Sequence, residues 1–228
     1  MSYYPMGRKN KKRQCPAQNK EIDAAECGAN RHSKYDCPTS CSYSPYHPGN
    51  YDQALEVENQ LDDLILERAT RHPYFGPQLA MLYSQPKGNE FAFAGKLMKL
   101  LHFDRDENGK SLFEDLEETG FAKLRNDSRV LLNHKRSMRV SLIEIREVVD
   151  EQTVSFVDLL QEENNFHTAI DRGMTSRACR FVTMIAYYYC VPGYTRFHAS
   201  AQELPRFTIH SGLEAFLAVV KHLHGNTS

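Results

Sequence analysis

The sequence predicts an α+β fold, because three regions of different character follow one another along the chain. A short N-terminal stretch is rich in cysteine, whereas residues 49–137 carry apolar side chains at helical spacing. One of these helices is predicted over about Tyr51–Arg71 with Asn50 as its N-cap, and we expect it to pack the cysteine-rich stretch onto the rest of the chain. From about residue 138, runs of β-branched residues predict strands: Val140–Val149 and Thr153–Leu159 should form a hairpin, and Arg180–Cys190 is apolar on both alternating faces, as expected of a central strand covered on each side. An apolar helix is expected after Ser211. We therefore expect a tail (1–14), a cysteine-rich module (15–48), a helical middle (49–137) and a small antiparallel β domain closed by a C-terminal helix (138–228).

Composition and length are typical of a soluble globular protein. The chain has 228 residues, of which 25% are charged and 41% hydrophobic, so it can bury a sizeable core. No apolar run approaches the ~18–20 residues that a membrane span needs. The charges near the N-terminus are followed by no apolar segment, unlike a secretory signal. We therefore expect a cytoplasmic, reducing location and no membrane partner.

Four of the six cysteines fall close together near the N-terminus. In a reducing compartment such clusters bind metal more often than they form disulfides. Ile22 is the only large aliphatic residue of the stretch, so something other than a core must hold it. Four thiolates can supply the tetrahedral ligands of a closed, structural zinc site, with His32 or His47 as alternatives to one of them. The predicted zinc ligands are Cys15, Cys27, Cys37 and Cys41.

The same stretch resembles a known N-terminal motif. It begins with Cys15-Pro16, continues through Cys27-Gly28-Ala29-Asn30-Arg31 and ends with Asp36-Cys37-Pro38-Thr39-Ser40-Cys41-Ser42-Tyr43. This order is similar to that of a group of uncharacterised bacterial zinc-binding proteins. The resemblance implies zinc binding and a bacterial origin, and it implies no reaction.

A second resemblance covers residues 141–199. The segments SLIEIREVVDEQTVSFVDLL and RFVTMIAYYYCVPGYTRF are similar to a small β-rich domain of bacterial proteins, some of which carry zinc motifs of the SEC-C type. The SEC-C cysteine cluster itself is missing from this chain. The resemblance therefore implies a β-rich fold for this region and no activity.

Charge is distributed unevenly between the two ends of the chain. Residues 1–41 hold eight Lys and Arg against four acids, whereas the whole chain has a net charge of −1. A basic end suits an anionic partner, and nucleic acid is the first such partner to consider. The alternative is an inert solubilising tail. The residues expected to contact nucleic acid are Arg8, Lys9, Lys11, Lys12, Arg13, Arg31 and Lys34.

The loop from Asp104 to Asp115 admits two interpretations. Acidic and amide side chains stand at the first, third and fifth positions with Gly109 at the sixth, as in a calcium loop of the EF-hand type. An Asn-Gly turn followed by a capping box of Ser111 and Glu114 explains the same residues without a metal.

The sequence contains no recognised catalytic motif: it lacks a P-loop, a Gly-x-Ser-x-Gly and a His-Glu-x-x-His. The function that we predict is a non-catalytic zinc-binding protein whose basic N-terminal end contacts nucleic acid or a ribonucleoprotein. One alternative is a protein-interaction adaptor with purely structural zinc. A second alternative is a nucleic-acid hydrolase, which would need a carboxylate cluster in a cleft of the β domain.

Overall fold

The computed structural model of the chain describes residues 11–85, 90–119, 124–161 and 165–204. Packing divides the chain into two compact units. The first ends at Ser137 and also includes the turn Val191–Gly193, and the second begins at Met138. The predicted α+β class is confirmed, because the described part of the first unit is mainly helical and that of the second forms a barrel of strands.

The N-terminal module is a short antiparallel hairpin followed by a helix. Strand β1 (Lys12–Cys15) pairs with β2 (Lys20–Asp23), and helix α1 (Ala24–Asn30) continues directly from β2. Asn19 takes a left-handed conformation (φ 49°) in the turn, which asparagine tolerates better than most residues. The disorder predicted for residues 1–14 is therefore wrong for residues 12–14, which pair with β2. Residues 1–10 lie outside the described part.

Helices supply the rest of the first unit, and the longest of them is central. Buried Leu61, Ile65 and Ala69 lie along one face of this helix and form its share of the core. Its predicted bounds, Tyr51–Arg71, are confirmed, and it contacts each of the four helices that follow it. In chain order the helices are α2 (Tyr51–Arg71), α3 (Phe75–Ser84), α4 (Glu90–His102), α5 (Leu112–Thr119) and α6 (Asn126–Lys135).

Two predicted helix starts have different outcomes. Asn50 occupies the N-cap position of α2, but its side chain caps nothing and instead donates to the carbonyls of Ser42 (2.8 Å) and Ser44 (2.7 Å). The capping box before α5 is confirmed. The Ser111 amide donates to Glu114 Oε2 at 2.7 Å, and the Glu114 amide donates to Ser111 Oγ at 3.3 Å.

The second unit is a closed five-stranded barrel with the strand order β3-β4-β5-β7-β6. The predicted hairpin of β3 and β4 is confirmed, but the predicted all-antiparallel pairing is wrong at one place. Strand β5 runs parallel to β7, with Ala169 opposite Thr195, because β6 returns beside β3 and leaves β7 to fill the remaining gap. The elements are β3 (Arg139–Val148), β4 (Thr153–Asp158), β5 (Phe166–Ile170), α7 (Arg172–Thr175), β6 (Thr183–Val191) and β7 (Tyr194–Glu203).

Apolar side chains fill the barrel interior, including Phe156, Tyr188 and Phe197. The segment 180–190, expected to be covered on both faces, forms β6 from Thr183 onwards. Its first half alternates as a barrel strand does, with Met184 and Ala186 buried and Ile185 half-buried, whereas Tyr188 and Tyr189 are both buried. The helix predicted after Ser211 lies outside the described residues. Among the described helices, none has the length and apolar character needed to cross a membrane.

Candidate metal centre and basic surface

Two of the four predicted zinc ligands lie in the core of the module. Cys15 ends β1 and Cys27 lies in α1, and each side chain is buried, with 5% of its surface exposed. With Ile22 they form the module's cluster of buried residues, against which three half-buried side chains pack: Ala17, Tyr35 and Tyr43. Thiols therefore make up two of the three buried members of this core.

The other two predicted ligands lie on one turn after α1. The amide of Cys41 donates to the carbonyl of Pro38 at 3.0 Å, which closes a turn that has Cys37 directly before it and Cys41 at its end. Cys41 is buried and Cys37 is half-buried. None of the four thiols forms a disulfide, so each retains a sulfur able to ligate a metal.

The four thiols share one electrostatic neighbourhood. Burial is the main cause that raises the pKa of Cys37. A backbone hydrogen bond from His32 lowers this pKa, and the negative charge of the other three thiolates raises it again. Near Cys27, the guanidinium of Arg13 donates to Sγ at 3.8 Å. Ionisation of Cys37 is therefore unfavourable unless a positive charge joins this group of thiols.

The sulfur atoms are not gathered into a complete ligand set. Across residues 11–85, 90–119, 124–161 and 165–204, no three His, Cys, Asp or Glu side chains form a group that could hold a metal ion. The alternative ligands are engaged otherwise: His32 Nε2 lies 2.6 Å from Ser44 Oγ, and His47 Nδ1 accepts from the Gly49 amide at 3.1 Å. Zinc binding by the four thiols therefore stays a prediction.

Arg31, which we expected to contact nucleic acid, is part of an internal network. Its guanidinium forms a two-bonded ion pair with Asp127, with 2.6 Å between Nε and Oδ1, and also donates to the carbonyl of Tyr43. Burial disfavours the charged form, but the hydrogen bond and charge of Asp127 outweigh it and raise the pKa of Arg31. Its side chain is 14% exposed and its guanidinium is held by Asp127 and Tyr43, so Arg31 has a structural role here, and its contact with nucleic acid stays a prediction.

This network joins the module to α6, a partner additional to α2, the helix that the sequence predicts to pack the module onto the rest of the chain. Two further bonds join the module to the first turn of α6: Asn126 Nδ2 donates to the Arg31 carbonyl at 2.8 Å, and the Tyr46 hydroxyl donates to the Asp127 carbonyl at 3.0 Å. Sequence reasoning missed these partners. An acid in the first turn of a helix is already explained by the helix dipole, so nothing marked Asp127 as the partner of a distant arginine.

The lysines of the module differ from its arginines in being exposed. None of them forms an ion pair with a described residue, whereas Lys99, Lys110 and Lys135 in the helical region each pair with a carboxylate. Arg13 is half-buried, with its guanidinium 4.9 Å from the centre of the Tyr43 ring. Arg8 and Lys9 lie outside the described residues. The exposed lysines are Lys11, Lys12, Lys20 and Lys34.

The loop after α4 uses its acids in hydrogen bonds and ion pairs. Asp104 pairs with Lys99 and Asp115 with Arg68, while Asp106 Oδ1 accepts from the amides of Asn108 and Lys110, both at 2.9 Å. These carboxylates have separate partners and do not converge. The turn and the capping box therefore account for the contacts that these acids make.

Comparisons of this chain with protein-family models, with curated proteins and with solved structures found no match in any of the three. The two resemblances noted in the sequence therefore stay predictions.

Proposed function

We propose that this chain is a non-catalytic zinc-binding protein whose basic N-terminal end contacts nucleic acid or a ribonucleoprotein. The observation that carries the proposal is the core of the module, which buries two thiols, Cys15 and Cys27, and a single aliphatic side chain, Ile22. So little apolar surface gives little driving force for folding. A metal that cross-links the strand, the helix and the following turn would supply the missing stability.

The donor set suits zinc better than a hard cation, because all four predicted ligands are thiols. The N–H groups of Arg13 and His32 that bond Cys27 and Cys37 stabilise negative sulfur, as the outer shell of a zinc site does. Binding would require the turn with Cys37 and Cys41 to approach Cys15 and Cys27 until each Zn–S distance is about 2.3 Å. Such a closed site holds a fold and leaves no position for a substrate. A reducing compartment such as the cytoplasm keeps these thiols available.

The exposed lysines of the module support the second half of the proposal. Lys11, Lys12, Lys20 and Lys34 are exposed and unpaired with any described residue. Unpaired surface lysines are free to neutralise phosphates and release counterions, which is the main source of affinity for nucleic acid without sequence preference. The module would therefore hold the lysines on a rigid surface.

Metal content tests the zinc proposal. Purified wild-type protein should carry one zinc per chain, and Cys27→Ser should lose it. The matched control is Cys179→Ser, because Cys179 is an exposed thiol in the other unit and its loss should leave zinc unchanged. Chelation should make the module sensitive to protease while α2 to α6 stay resistant. Wild-type protein without zinc, or equal zinc in the two variants, would refute the proposal.

Salt-dependent binding tests the nucleic-acid proposal. Replacing Lys11, Lys12 and Lys34 by alanine should weaken binding to duplex DNA and flatten its log–log salt dependence by up to about 0.9 per lost contact. A control variant with alanine at Lys96, Lys99 and Lys110 has the same change in charge, outside the module, and should bind as wild type. If the wild-type protein binds neither DNA nor RNA at low salt, the nucleic-acid proposal falls and a protein-interaction adaptor takes its place.

A further inference from the structure

The segment that joins α7 to β6 exposes a phenylalanine whose backbone conformation is unusual. Phe181 has a positive φ of 66°, which a bulky residue rarely adopts, because its Cβ then crowds the backbone. Of its surface 55% is exposed, although an apolar ring gains free energy when it leaves water. Residues held in such conformations cluster at sites that bind ligands. Phe181 is therefore a candidate for contact with a partner.

The backbone around Phe181 is held in place by hydrogen bonds and by packing. The amide of Phe181 donates to the carbonyl of Ile145 on β3 at 2.7 Å, and the amide of Val182 donates to the carbonyl of Cys179 at 3.1 Å. On either side of the ring, Ala178 and Val182 pack against the barrel core. The ring is thus presented to solvent by an ordered backbone, so a partner that packs on it loses little conformational entropy.

The charge beside the ring is positive. Residues 172–181 contain three arginines and no acid. Two of them, Arg177 and Arg180, are exposed and have no ion pair with a described residue, and the Arg180 guanidinium lies 4.8 Å from the centre of the Phe181 ring. The third, Arg172, lines a surface hollow with two acids of the turn between β3 and β4, whose charges oppose its own. The two free arginines favour an anionic partner.

A ring beside two cations narrows the class of partner. A single strand of nucleic acid repeats a flat base and a phosphate at every unit, and proteins bind it by stacking bases on aromatic side chains and neutralising phosphates with basic ones. An acidic side chain or a lipid headgroup supplies the charge but no flat ring. On β3, Glu144 faces Thr183 of β6 but is paired with Arg146 at 3.0 Å, so it leaves the charge of the two arginines available.

We infer that residues 177–181 form a second nucleic-acid contact, which binds a single strand. One base stacks on Phe181, and the neighbouring phosphates lie against Arg177 and Arg180. Bases of a duplex are already stacked on one another, so the ring requires unpaired bases, whereas the lysines of the module bind any phosphate backbone. The inference rests on the proposed nucleic-acid function and adds to it a contact specific for single strands.

Binding of oligo(dT), and of the oligo(dA)·oligo(dT) duplex of the same length, tests the inference on the full chain. Phe181→Gly should bind oligo(dT) about tenfold more weakly, within the range expected for one stacked base, and should bind the duplex as wild type does. It should also melt no lower than wild type, because glycine adopts a positive φ without strain. A residue that only held the fold would show the opposite pattern.

Two further variants locate the contact. Alanine at both Arg177 and Arg180 should flatten the salt dependence of oligo(dT) binding, by up to about 0.7 in log–log slope for each lost contact. The control Phe166→Ala removes another phenylalanine of the barrel, 72% exposed, from β5, which does not neighbour β6. This control should bind both probes as wild type does.

Each other outcome has a distinct meaning. Equal affinity of wild type and Phe181→Gly for oligo(dT) overturns the inference, and binding of the duplex then leaves the proposed function standing. An equal loss in Phe166→Ala overturns it too, because the contact would lie elsewhere on the barrel. If Phe181→Gly loses binding to phosphatidylserine vesicles but keeps its affinity for oligo(dT), the segment contacts a membrane and the inference falls. Binding of neither probe by wild-type protein refutes the proposed function itself. If Phe181→Gly does not fold, the double arginine variant decides the test.

Discussion

Replacing Asp127 by alanine should destabilise the first unit strongly. The side chains of Arg31 and Asp127 are 14% and 15% exposed, and the guanidinium also bonds the Tyr43 carbonyl. The variant leaves a positive charge without its carboxylate where little water can replace it. Breaking a buried pair costs about 3–5 kcal/mol, and the remaining exposure of this pair favours the lower end, about 3 kcal/mol.

Urea unfolding of the full chain, followed by circular dichroism, measures this loss. The control is Glu67→Gln, which breaks the pair of Glu67 and Arg71 on the surface of α2. Their side chains are 53% and 74% exposed, so the expected cost is at most about 0.5 kcal/mol. The double variant Arg31→Met with Asp127→Ala should be more stable than Asp127→Ala alone, because it leaves no unpaired charge behind.

Equal losses in Asp127→Ala and Glu67→Gln would refute the reasoning, since they would mean that the pair behaves as a surface pair. A double variant no more stable than Asp127→Ala would also count against it. The loss would then come from contacts of the removed side chains and not from a stranded guanidinium.

Two further predictions concern other carboxylates. Backbone and side-chain hydrogen bonds from Ser111 lower the pKa of Glu114 below 4.5, so its contribution is present above pH 4.5 and is lost as the pH falls through the lowered value. Glu114→Ala should cost about 1 kcal/mol at neutral pH, and urea titrations should show the difference from wild type shrinking in acid; a constant difference would contradict this. In the barrel, buried Asp158 accepts from Ser141 and from Tyr188, the latter at 2.5 Å. Asp158→Ala should lower the free energy of unfolding by about 3 kcal/mol and Asp158→Asn by less, and equal losses would show that the acceptor oxygens are unimportant.

The parts of the fold that the sequence predicted well are those governed by local rules. Helix α2 follows from apolar residues at helical spacing, and the capping box from Ser111 and Glu114 three positions apart. The hairpin of β3 and β4 follows from two β-branched runs with a short polar break between them. In each of these cases the interacting residues are close in sequence, so the pattern contains the whole interaction.

The parts that were wrong or missed depend on distant partners. Residues 12–14 are charged and polar with no periodicity, and they form a strand only because β2 lies beside them. The parallel contact of β5 with β7 depends on how the barrel closes, which no local pattern reports. At the candidate site the four cysteines could be found from spacing, whereas the role of Arg31 depends on Asp127, which lies far along the chain. Such pairings are decided by how distant elements pack against one another. A single sequence contains no direct information about that packing.

The closure of the barrel has a consequence for synthesis on the ribosome. Strand β3 is completed by two neighbours, β4 beside it in sequence and β6 much later, where Val140 faces Tyr187. The hairpin of β3 and β4 can form early and β5 can then pair with β4, but the outer edges of β3 and β5 stay unpaired until β6 and β7 have left the exit tunnel. Pairing across such a separation is slow compared with local folding, and unpaired edges invite association with other chains. Nascent chains that stop before β6 should therefore associate with chaperones more than chains that extend beyond β7.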